Sequence, residues 1–191
     1  VRVPQRLYHF LARIMDAGAL GVMVANVEDV DEARSIVNAV KFAPLGNRGL
    51  GLGGAHNDFL GVDPIAYFQR SNENTTVICQ IESVKGLANA EAIASVAGVD
   101  VIWIGHMDLT NSMGIVGQFD NPRFAEACRS VVESANNAGK LAAIQPGSVE
   151  QAREWAAYGF HFFSYSVDVV AYRNAMKQDV AAVRQIFADR K

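Results

Sequence analysis

Short apolar runs alternate with helical patterns along this chain, and few folds accommodate that rhythm. The runs are Gly21-Val22-Met23-Val24-Ala25, then 75–81, 100–104, 140–145 and 160–166. A strand covered on both faces reads as a nearly continuous apolar run, as in parallel sheets. Strands joined by short connections through intervening helices are the mark of a parallel α/β architecture. Counting a stub at Val1–Val3, the sequence offers about six strands. A (β/α)₈ barrel usually needs about 250 residues. A barrel lacking its first two βα units therefore fits the 191 residues present. A doubly wound open sheet fits the alternation as well.

The intervening segments carry helical spacing. Leu7, Phe10, Leu11, Ile14 and Met15 predict a helix from Pro4 to Ala17, with Gly18 as its stop. Val27 to Val40 reads as a second helix, with Glu28, Asp29, Asp31 and Glu32 in its early turns, where the macrodipole favours them. Further helices are expected over 63–71, 85–97, 122–138 and 148–158, and a long terminal helix over about 168–189. Residues 43–57 are glycine-rich and read as a loop. No repeat, low-complexity tract or linker divides the chain, so 1–191 is expected to be a single domain. The opening Val1-Arg2-Val3-Pro4 reads as the tail of a strand, and the front of the domain is expected to be absent.

Half the residues are apolar, enough for one sizeable core, and the net charge of -3 argues against nucleic acid as a partner. No segment approaches the roughly twenty apolar residues of a membrane span, and none reads as a signal peptide. Cys79 falls in a strand and Cys128 in a helix. Both read as reduced packing residues of a cytoplasmic protein rather than a disulfide pair.

Two of the apolar runs close on acidic residues. The run 75–81 ends at Glu82, and the run 99–107 ends at Asp108. In a parallel α/β fold, carboxylates at the C-terminal ends of neighbouring strands share one site, and a pair of them suits a hard cation such as Mg²⁺ or Mn²⁺. Gln80 lies two residues before Glu82 and projects to the same side of the strand. Glu82 reads equally as a helix cap or a solvated strand end. Asp108, taken alone, reads better as the cap of a helix entered at Leu109. Together the two carboxylates favour the site. Gly105 permits close backbone approach, and the N–H groups after it can cradle an anion. Arg2 offers a guanidinium fork to a carboxylate, although a surface arginine is the commoner case.

Other motifs carry less. Gly49-Leu50-Gly51-Leu52-Gly53-Gly54 matches G-x-G-x-x-G, but no strand enters it and no helix opens from it. It is expected to be a flexible loop beside an active site, with Arg48 at its base. His9, His56 and His161 lack partners at zinc spacing. His106, between Gly105 and Asp108, is a candidate acid–base group. Lys41, Lys85 and Lys140 fall at element edges, so none sits in an apolar strand as a Schiff-base lysine would.

Taken together, these residues resemble the HpcH/HpaI aldolase family, the metal-dependent class II pyruvate aldolases. The segments that carry the resemblance are Val1–Pro4, Asp16-Ala17-Gly18-Ala19, 41–49, Gln80-Ile81-Glu82-Ser83, Gly105-His106-Met107-Asp108-Leu109 and Tyr165-Ser166-Val167-Asp168. The resemblance implies a (β/α)₈ TIM barrel, with Glu82 and Asp108 as ligands of a divalent cation (Mg²⁺, Mn²⁺ or Co²⁺). It implies that Arg2 polarises the keto oxygen and that Gln80 stands beside the substrate. Gly105, Met107 and Asp108 would hold the pyruvate carboxylate. It also implies a homo-oligomer, a hexamer or trimer of dimers, whose last helix packs on a neighbouring subunit, and a role in catabolism of compounds such as aromatics.

The expected activity is cleavage of a 4-hydroxy-2-keto acid to pyruvate and an aldehyde. Two departures bear on it. The family's acid–base histidine belongs to a segment before the arginine strand that this chain lacks. His106 and Met107 stand where the family often has proline and alanine. Gln145 is a candidate pocket residue. The alternatives are a citrate-lyase-type CoA ester lyase, for which no basic cluster is visible, and a catalytically silent barrel that binds a keto acid.

Overall fold

The computed structural model describes residues 1–3 and 6–188. Its strands are β1 (Arg2–Val3), β2 (Gly21–Val24), β3 (Thr76–Ile81), β4 (Val101–Ile104), β5 (Leu141–Ile144) and β6 (Phe162–Phe163). The helices are α1 (Tyr8–Asp16), α2 (Val30–Val40), α3 (Pro64–Asn74), α4 (Val84–Ala88), α5 (Ala90–Ala94), α6 (His106–Ser112), α7 (Pro122–Asn137), α8 (Val149–Ala157) and α9 (Asp168–Ala188). The strands form one sheet in the order β1-β2-β3-β4-β5-β6, and every pair is parallel.

That order separates the two architectures the sequence allowed. A doubly wound sheet reverses its order and carries helices on both faces. Here the order never reverses, so right-handed crossovers place the helices that connect the strands on one side. The opposite side is the interior of a barrel. Side chains divide accordingly. Val22, Val24, Val77, Cys79, Ile81, Ile102, Ile104, Ala142 and Ile144 pack outward with the helices in the main core. Val101, Trp103 and Ala143 form a separate inner cluster with Met23, Ile78 and Phe162. The register pairs Arg2 with Met23, Met23 with Ile78 and Gln80 with Trp103, so all of them share the inner face.

Local chemistry sets the helix starts. Asp29, Asp63, Ser83, Asn121 and Ser148 each accept a backbone N–H at the head of a helix. Asp29 is thus the cap of α2 rather than part of its first turn, and α2 begins at Val30 instead of Val27. Asp63 likewise caps α3, which continues to Asn74. The helix expected over 85–97 is two short ones broken at Asn89, whose side chain donates to the Glu28 carbonyl at 2.8 Å. Gly86 is required there, because a Cβ would lie 2.8 Å from the Val27 carbonyl oxygen. The strand expected over 160–166 contracts to two residues on the sheet edge, paired among the described residues only with β5. The first helix runs from Tyr8; Pro4, expected in its opening turn, lies outside the described residues, as does Asp189 at the expected end of α9.

Helix α9 differs from the others. None of its described residues is buried, although it carries Val169, Tyr172, Met176, Val180, Val183 and Phe187. No helix among the described residues is long and apolar enough to cross a membrane.

Candidate active site

Glu82 follows directly on β3, and its side chain is 7% exposed. Gln80 is buried on the same face, two residues earlier. Beside them, β4 is followed by Gly105, whose N–H donates to the Ile81 carbonyl at 3.0 Å. A Cβ on Gly105 would lie 2.7 Å from Gln80 Nε2 and 3.0 Å from Glu82 Cγ. Glycine is therefore the residue that lets both side chains share the strand ends.

Asp108 is not at a strand end, as the sequence suggested. It lies in the first turn of α6, which opens at His106 rather than Leu109, and it is solvent-exposed. The turn still brings it to Glu82. Burial pushes the Glu82 carboxyl above its ordinary range, and repulsion and hydrogen bonding from Asp108 push it further. The Asn26 N–H, 3.2 Å from Glu82 Oε1, and the charge of Arg2 pull the other way. The charges of Arg2 and Asp108 therefore both reach Glu82. Gln80 Oε1 is buried without a hydrogen-bond partner among the described residues.

Around this group stand several residues singled out above. Met107 is exposed. His106 is half-buried, with its ring centroid 5.2 Å from Phe119 and 5.4 Å from Trp155. Burial holds its pKa below the ordinary histidine value, and Asp108 opposes that. Gln145 is tied to the Ser166 carbonyl at 3.0 Å. Cys79 and Cys128 are free and buried, and burial pushes each thiol up to about 12.

The base of the glycine-rich loop is not beside this group. Arg48 is buried, pairs with Asp16 at 2.7 Å and stacks on Phe42. With His56 it lines a cavity bordered by Leu20 and Thr75, the residues just before β2 and β3. Arg48, at the base of the loop, thus sits at the N-terminal ends of the strands rather than beside the active site, while the Gly49 N–H donates to Tyr8 Oη at 2.7 Å, at the head of α1. Sequence reasoning missed Asn26. Its one signal was its type, an asparagine between a strand and a helix cap, where a left-handed backbone (φ 51°) is tolerated.

Comparison with known proteins decides the family. The model of the HpcH/HpaI aldolase/citrate lyase family matches residues 1–175. This chain belongs to that family. A hydroxypyruvate/pyruvate aldolase of Delftia acidovorans is 33% identical over 184 residues, covering 96% of this chain and 68% of the relative. A 5-keto-4-deoxy-D-glucarate aldolase of Enterobacter sp. is 33% identical over 178 residues, 93% of this chain and 69% of the relative. The crystal structure of an HpcH/HpaI aldolase from Desulfitobacterium hafniense superposes with a TM-score of 0.90 at 30% identity, covering 96% of this chain and 71% of that one. A family protein from Burkholderia cenocepacia gives 0.88 at 31%, covering 96% and 72%. The HpcH/HpaI chain described here is accordingly an enzyme of the aldolase class, a carbon–carbon lyase on a TIM-barrel-like fold.

Proposed function

We propose that this enzyme is a divalent-metal-dependent aldolase that cleaves a 4-hydroxy-2-keto acid to pyruvate and an aldehyde. The observation that carries the reading is the buried Glu82 carboxylate beside the orphaned Gln80 oxygen at the strand ends, where the charge of Asp108 also reaches it. Such an arrangement is unfavourable for two carboxylates alone and favourable around a cation. Among the described residues no group of three or more His, Cys, Asp or Glu could hold a metal. The donor set is thus two carboxylates with the orphaned Gln80 oxygen nearby. Oxygen donors of this kind, leaving positions for water and substrate, fit Mg²⁺ or Mn²⁺. The names of the relatives, which act on 2-keto acids, agree with this substrate class.

Glu82 and Asp108 would hold the cation, which when bound supplies Lewis-acid stabilisation of the charge that builds on the keto oxygen. Arg2 adds a second positive group at that oxygen. The first intrahelical bond of α6 runs from the Leu109 N–H to the Gly105 carbonyl at 2.8 Å. The N–H groups of residues 106–108 precede it, lack an intrahelical partner and would receive the substrate carboxylate, while the absence of a side chain at Gly105 leaves room for it. Gln80 Nε2 orients the substrate from the inner face. Trp103 and Phe162, with ring centroids 5.8 Å apart, form an apolar floor that limits water. Cleavage would move the C3–C4 bond electrons toward the keto oxygen; the C4 hydroxyl gives its proton to water as the aldehyde forms, and C3 of the enolate takes one back from water to give pyruvate.

We further propose one barrel domain, a homo-oligomer and a cytoplasmic setting, with a small keto acid as ligand. The apolar-striped α9, none of whose described residues is buried, supports packing on a second subunit. The two free, buried cysteines suit a reducing compartment.

Oxalate, a mimic of the pyruvate enolate, tests the reading. Its binding is expected to require Mn²⁺ and to vanish in Glu82→Gln. Metal-independent binding, or binding retained in that variant, would overturn it.

A further inference from the structure

We infer that Asn26 and Arg6 are positioning residues that clamp the Glu82 carboxylate in the orientation needed to hold a cation. The inference rests on the assignment of Glu82 as a metal ligand. Glu82 Oε1 accepts the Asn26 backbone N–H at 3.2 Å. That leaves Oε2 as the oxygen free of this bond. The donor points at Glu82 because Asn26 adopts a left-handed backbone, φ 51°, which most side chains disfavour and asparagine tolerates.

Arg6 holds that conformation from the other side. Its Nη1 donates to the Asn26 carbonyl at 2.6 Å, while Nη2 pairs with Glu32 Oε1 at 2.7 Å. Glu32 is itself fixed. Its Oε2 accepts the Glu28 N–H at 2.7 Å, and its own N–H donates to the Asp29 cap at 3.0 Å. The residue after Asn26 is pinned to β3, because the Val27 N–H donates to the Gln80 carbonyl at 3.0 Å. A planar guanidinium can serve a carbonyl and a carboxylate at once, which an ammonium does less well. The fork thereby joins the segment after β1 to the turn after β2 and to α2, and the Asn26 N–H carries the connection on to Glu82 at the end of β3. The Arg6–Glu32 pair is partly exposed and adds little to stability by itself. Its effect is expected at Glu82, since partners behind a metal ligand set its orientation.

The test is a Mn²⁺ titration followed by the electron paramagnetic resonance of the free ion, paired with thermal melts. The proteins are the wild type, Glu82→Gln, Arg6→Ala, Asn26→Val and Asn26→Gly. Glu82→Gln is expected to lose binding, which secures the ligand assignment independently. Arg6→Ala and Asn26→Val are expected to bind Mn²⁺ about tenfold more weakly, with the melting point of Arg6→Ala near wild type. Asn26→Gly is expected to recover wild-type affinity, since glycine accepts the left-handed backbone and keeps the N–H. Wild-type affinity in Glu82→Gln would remove the ligand assignment and the inference with it. Loss in Glu82→Gln with wild-type affinity in Arg6→Ala and Asn26→Val would overturn the clamp alone. So would an Asn26→Gly as weak as Asn26→Val, or losses that merely follow the melting point. If Asn26→Val does not fold, Arg6→Ala decides.

Discussion

The two ends of the strands treat buried charge in opposite ways. At the N-terminal ends, Lys41 is 3% exposed, but its Nζ donates to the Asn72 and Thr75 carbonyls, with the Asp100 carboxylate at 4.0 Å. Asn72 in turn exchanges hydrogen bonds with both backbone groups of Phe42, and Asp100 accepts the Val77 N–H. Burial still lowers the Lys41 pKa, with Asp100 opposing it, but the ammonium has partners on hand. At the C-terminal ends, Glu82 is nearly as buried, yet its neighbour is a second carboxylate. A buried charge given its partners is structural; one set against its own kind awaits something else. The comparison agrees with the general division of a barrel into a stabilising face and a catalytic face.

The sharpest way to break the comparison is to neutralise each charge. Glu82→Gln is expected to lower kcat by about 10³, the scale of a lost electrostatic contact in a transition state, while the protein still folds. Steady-state aldolase assays with Mn²⁺ check this, and wild-type turnover would remove Glu82 from the site. Lys41→Ala is expected to do the reverse. It leaves two buried carbonyls without their donor and opens space beside Asp100, destabilising the fold by about 3 kcal/mol. Urea unfolding measures that loss, and catalysis in the folded fraction should persist.

Arg2→Lys comes next. It keeps the positive charge at the mouth of the barrel and removes the planar fork, so kcat is expected to fall about 100-fold with Mn²⁺ affinity retained. An unchanged rate would place Arg2 outside the reaction.

The sequence shows one end of the strands far better than the other. Glu82, Gln80 and Gly105 are legible because strand periodicity and an acidic residue after an apolar run are local signals. The alternation that implies a parallel sheet is local in the same sense. Lys41 reads as a helix-edge lysine, and only its pairing with Asn72 and Asp100, far along the chain, shows that it is buried. Arg48 reads as the base of a loop beside the active site, and only its pairing with Asp16 places it at the far end of the barrel. Asn26 escapes for the same reason, since its partner Glu82 lies 56 residues away. Asn89 breaks a helix through a bond to Glu28, 61 residues back. Local pattern reports which element a residue joins; long-range hydrogen bonding decides what it does there.

The smallest effect separates the two ends most finely, because it is read on the metal-free fold. The Glu82 pKa is raised in the native state, chiefly by burial, so the folded protein binds that proton more tightly than the unfolded chain does. Below about pH 4 both states hold the proton and the carboxyl carries no penalty. As pH rises the unfolded chain ionises first, and the native state loses stability until its own raised pKa is passed. Glu82→Gln removes the charge and retains an oxygen for the Asn26 N–H. With EDTA at neutral pH the variant is therefore expected to be more stable than wild type. The gap should close as pH falls toward 4. Adding Mn²⁺ should reverse the order, because the cation stabilises only the form that binds it. Melting curves from pH 4 to 8, with and without metal, read both signs. A variant less stable than wild type at neutral pH without metal would mean that Glu82, like Lys41, is held by its partners rather than set against them.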